Sequence, residues 1–132
     1  MDKTTLVEKD FKDGELLIAE LDKAQLKVHS ALWIYNSEAD NWRLMIASDK
    51  EDFSSPKKAY SLINEVIEKM NNSGINIGFS LENISVVSTD HPLIRLLSSA
   101  IKTNPRSISG IRFSRNTIDN NYIEDAYIYR VQ

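Results

Sequence analysis

Cysteine is missing altogether from this chain, which removes together a disulfide framework, a thiolate zinc site and a cysteine nucleophile. Long apolar runs are missing too. The opening MDKTTLVEKDFKDG has no apolar core of a secretion signal, and no later stretch approaches the roughly 18 uninterrupted apolar residues of a membrane span. The expectation is a cytoplasmic protein with no membrane partner.

Recognisable catalytic and nucleotide-binding patterns are equally scarce. There is no GxGxxG, no P-loop and no GxSxG, so nucleotide binding and α/β-hydrolase chemistry find no motif. His29 and His91 are the only histidines and show neither HxxxH nor HxH spacing, which makes a weak metal site. The acidic connector Asp49, Glu51 and Asp52 lacks the alternating oxygen ligands and central glycine of a calcium loop, and reads as solvated charge. A magnesium-dependent nuclease needs a strand-borne Asp followed by an acid-x-Lys pair, and Arg43-Leu44-Met45-Ile46 offers neither. No metal, cofactor or catalytic residue is assigned.

What the chain does contain is an ordinary globular composition: 132 residues, 42% hydrophobic and 27% charged. That length and balance suit one domain with one core. The clearest local signal is VHSALWIYNSEADNWRLMIAS, Val28 to Ser48, two aromatic-rich apolar runs around a polar connector. Both runs are apolar on alternate and intervening positions, so they predict a central hairpin covered on both faces, with Trp33 and Trp42 in the core.

The remaining elements follow from caps and stripes. Asp13 is placed to cap a first helix running to about Lys27, with Leu17, Leu21 and Ala24 inward and Leu16 and Ile18 beside them. Ser55-Pro56 opens a second helix whose stripe is Ala59, Leu62, Ile63, Val66, Ile67 and Met70, closed by Gly74 at the left-handed C′ position. A short strand is expected near Ile84–Ser88. Thr89 or Asp90 caps a third helix carrying Leu93, Leu96, Leu97, Ala100 and Ile101, and a second hairpin spans Ile108–Ser114 and Tyr122–Val131. The expected fold is α+β: one five-stranded, mostly antiparallel sheet with three helices, in the order α-β-β-α-β-α-β-β. Residues 1–12 read as a loosely ordered arm, and residues 13–132 as the single domain.

Charge is spread unevenly. Residues 1–66 carry 9 basic and 13 acidic side chains, residues 67–132 carry 7 and 6, and the stretch His91–Ile118 holds five basic residues with no Asp or Glu. Within it, Lys102, Arg106, Arg112 and Arg115 form a candidate polyanion surface. Strict alternation places Phe113 with Ile111 on one face and Arg112 with Ser114 on the other, so Arg112 meets solvent or a cross-strand acid such as Glu124. Tyr122, Tyr127 and Tyr129 on the last strand form a candidate protein-contact surface at a sheet edge. Asp90-His91-Pro92 reads as helix capping before it reads as acid-base chemistry. The expected function is accordingly a small non-catalytic protein-interaction or regulatory module, whose partner is another protein or a second copy in a homodimer. Nucleic-acid or other polyanion binding is the alternative, and a hydrolase using His91 the third reading.

Overall fold

The aromatic hairpin forms the middle of the sheet. A computed structural model describes residues 8–48, 55–104 and 107–132. Its elements are α1 (Glu8–Lys23), β1 (Val28–Asn36), β2 (Asn41–Ser48), α2 (Pro56–Asn72), β3 (Ile84–Val87), α3 (Pro92–Ala100), β4 (Ile111–Ile118) and β5 (Asn121–Arg130). The expected α+β class and element order hold, and the five strands form one sheet in the order β3-β2-β1-β5-β4. Each hairpin is antiparallel, β1 and β5 join the hairpins antiparallel, and only β3 runs parallel to its neighbour β2. That parallel pair needs a crossover, which α2 supplies.

Alternation along β1 divides the core in two. Ala31 and Trp33 face α1 and α2 with Leu17, Ile18, Leu21, Ile63 and Ile67, while Leu32 faces α3 with Ile94, Leu97 and Ile128. Burying apolar side chains on both faces of β1 and β2 is what their unbroken apolar runs encode. Trp33 and Trp42 are both buried.

Helix ends follow local chemistry. At the end of α2, Gly74 has φ 86°, its N–H donates to the Asn71 carbonyl at 3.0 Å, and the Ile75 N–H donates to that of Met70 at 2.8 Å. This is the Schellman arrangement, which satisfies two terminal carbonyls. The start of α1 differs from expectation. The helix begins at Glu8, five residues before Asp13, and Asp13 is an interior, buried residue. Its carboxylate accepts from the Gly78 N–H at 2.7 Å and from Lys9, tying α1 to the segment before β3 instead of capping a helix. Ala24 lies past the end of α1 and Leu16 is 43% exposed, so neither joins the stripe.

The second hairpin also departs from the sequence reading. β4 extends to Ile118 and turns through Asp119 and Asn120 alone, whose φ values of 47° and 67° define a type I′ turn. The polar second half of β4, Ser114 to Thr117, has the composition of a connector, which is why a seven-residue loop was expected there. Residues 1–7, the acidic connector Asp49, Glu51 and Asp52, and Arg106 lie outside the described residues.

Candidate functional site

The two edges of the sheet are finished differently. On β3, the Tyr60 hydroxyl from α2 accepts from the Val86 N–H at 3.1 Å and donates to the Ile84 carbonyl at 3.3 Å. A single phenol thus stands in for a neighbouring strand, and Arg43 adds bonds to the Ser85 hydroxyl and the Ile84 carbonyl. β3 is only four residues long as well. Short strands and covering side chains are two ways of closing an edge.

β4 is eight residues long and, among the described residues, has no strand on its far side. Among the described residues, the local cover it has is the Asn116 side chain, which accepts from the Thr117 N–H at 2.8 Å. The pairing of β1 with β5 ends at Ile34 and Ala126, so among the described residues the outer half of the second hairpin pairs only with itself. An exposed edge of this length is a template for another extended chain.

Of the candidate basic residues, Arg112 and Arg115 line a common concavity, and Lys102 is not among its lining residues. Lys102 is exposed just beyond α3, and Arg112 and Arg115 stand on β4. Those two line one open concavity of about 430 Å³ with Tyr35, Trp42, Ser114, Glu124 and Asp125. Two carboxylates there balance two guanidiniums, so the concavity carries little net charge. Arg112 makes a bidentate pair with Asp125, not with Glu124, and this bond holds its already high pKa higher still. Its guanidinium also lies 5.7 Å from the Phe11 ring centre and 5.8 Å from that of Trp42. Arg115 has no ion-pair partner among the described residues. Phe113 packs with Ile111 against the α3 side, as alternation predicts.

The three candidate tyrosines fall into three environments. Tyr129 is buried, so it presents no contact surface. Its hydroxyl accepts from the Trp33 indole N–H at 3.0 Å and donates to the Phe11 carbonyl at 2.6 Å, across α1 where Gly14 leaves room. Tyr127 is half-buried and stacks on Phe11, with centroids 4.0 Å apart. Tyr122 is 64% exposed and lies between two shallow concavities of about 330 and 390 Å³, both lined also by Leu93 and Ile123. The last strand β5 is not the sheet edge along the residues that pair with β1, because β4 lies outside it.

His91, and not Asp90, is the cap of α3. Its Nδ1 accepts from the Leu93 N–H at 3.1 Å. The side chains around it in its concavity are Pro92, Leu93, Leu96, Asn121, Tyr122 and Ile123. His29 is half-buried on β1, with Nδ1 2.8 Å from the Ser30 hydroxyl. Among the described residues, no three His, Asp or Glu side chains come together as a metal site requires.

Two charged residues were not singled out by sequence reasoning. Arg130, only 1% exposed, pairs with both carboxylate oxygens of Asp22 at 2.9 and 2.8 Å and donates to the Ser107 and Val28 carbonyls. A buried guanidinium persists only when its donors are satisfied, and these bonds lock β5 to the end of α1. No spacing in the sequence announces a pair 108 residues apart. Compared with family models, curated proteins and solved structures, the chain matches none.

Proposed function

We propose that this protein is a non-catalytic protein-interaction module that receives an extended chain along β4. One observation carries the reading: the β3 edge is sealed by Tyr60 and Arg43, while among the described residues the longer β4 edge has the Asn116 side chain as its local cover. Main-chain bonds to such an edge supply affinity, and the alternating side chains beside it supply selectivity. Polyanion binding is the second reading, favoured by Arg112 and Arg115 sharing one concavity. The pairing of Arg112 with Asp125 and the nearby Glu124 work against it, since phosphate contacts need unneutralised cations.

Both readings are tested by titrating the isotope-labelled protein with short peptides of alternating apolar and polar residues, and separately with random single-stranded DNA, while following backbone amide signals. Peptides should shift the amides of one half of β4, 111–114 or 115–118, with little dependence on salt. Shifts produced only by the DNA, centred on Arg112 and Arg115 and lost as salt rises, would overturn the protein-interaction reading.

A further inference from the structure

β4 is complementary to itself in a way that an ordinary strand is not. In an antiparallel pair, directly opposed residues lie on the same face of the sheet. An eight-residue strand laid along a copy of itself pairs its first residue with the copy's last, so it opposes odd positions with even ones. Under strict alternation those residues face opposite ways, and the match fails.

β4 does not alternate strictly. Ile111 and Phe113 pack with the α3-side core, and so does Ile118, which has the other parity. β5 changes in step, because Ala126 and Ile128 belong to that core and so does Ile123. Phe113 opposes Ala126 and Asn116 opposes Ile123, so both strands change face between these two pairs. Arg115, with φ 48°, lies inside that interval. The left-handed region is costly for a residue with a side chain, so this break is a held feature of the strand. It coincides with the midpoint of β4.

We infer that β4 pairs with β4 of a second copy of this chain, about a two-fold axis between Ser114 and Arg115. The inference rests on the reading of β4 as the docking edge and names its partner. In this register Ile111 meets the second copy's Ile118, Phe113 its Asn116, Arg112 its Thr117 and Ser114 its Arg115. All eight residues are opposed, and those flanking the axis pairs share a face with their partners. Such a contact is isologous and closes after two copies, joining two sheets of five strands into one of ten. A regularly alternating foreign peptide matches only one half of the edge, which is why the second copy fits better. The half-buried Ile111, Phe113 and Ile118 gain cover in the process.

Sedimentation equilibrium of the intact protein from about 10 µM to about 1 mM tests the association. A reversible dimer is expected with a Kd on the order of 100 µM, because a strand-edge contact is small. The register is tested by disulfide trapping, which the natural absence of cysteine makes unambiguous. Mixed Arg112→Cys and Thr117→Cys chains should form the hetero-disulfide about fivefold over either same-site disulfide, since these two are opposed in this register while each lies several residues along the strand from its own copy. A chain that stays monomeric to about 1 mM, or cross-links that ignore this register, overturns the second-copy inference. Neither result bears on the peptide titration, whose failure would remove the docking edge itself.

Discussion

Gly14 shows how one missing atom positions a network. A Cβ built there would lie 2.2 Å from the Tyr129 hydroxyl oxygen and 2.9 Å from the Trp33 indole nitrogen. Gly14→Ala is therefore expected to destabilise the protein by about 1–3 kcal/mol in chemical denaturation, as an overpacked core does. Tyr129 itself contributes to a loss of stability at alkaline pH. Burial, the largest influence, pushes its phenol well above the ordinary value near 10, against the opposing bond from Trp33. Because the folded pKa is the raised one, this contribution is fully present below about pH 10 and is lost as pH climbs beyond it. Stability measured against pH should be flat in Tyr129 up to that point and then fall, and Tyr129→Phe should remove that part of the fall. Asp22→Ala is expected to cost about 2–3 kcal/mol, because it strips both carboxylate bonds from a buried guanidinium. A loss below about 0.5 kcal/mol in urea unfolding would show that solvent already screens the pair.

Elements with a strong period are legible in the sequence. The stripe of α2 and its glycine stop, the doubly apolar hairpin and the short β3 all carry their own local signals, and the structure has them where expected. What was not legible depends on distant partners. Asp13 resembles a cap because a short acid before an apolar run usually is one. Only the approach of Gly78, 65 residues later, makes it an interior anchor. The polar half of β4 resembles a loop because its alternation breaks at Arg115, and its role emerges only when β5 breaks opposite it. The basic tract was legible as composition, but its pairing with Asp125 was not. At this scale the turn offers a simple test. Asn120 has φ 67°, so Asn120→Gly relieves a left-handed side chain in a type I′ turn. It should raise stability by a few tenths of a kcal/mol, up to about 1 kcal/mol, and a fall in melting temperature would contradict the turn assignment.

At the scale of the whole molecule, the asymmetry between the two sheet edges is the feature with consequences. Tyr60→Phe should remove the bonds to Val86 and Ile84 without disturbing the aromatic ring's packing, so the Val86 amide should exchange faster while the fold persists. Among the described residues no side chain plays the part of Tyr60 along β4, so on the proposed reading its outward amides gain protection when another chain pairs with them. Residue-resolved amide hydrogen exchange, run on dilute and on concentrated protein, tests this most directly. The account predicts slow exchange at Val86 in both samples, with β4 amides facing away from β5 exchanging fast when dilute and markedly slower when concentrated. Protection along β4 that is already complete in the dilute sample, or that does not change with concentration, would contradict it.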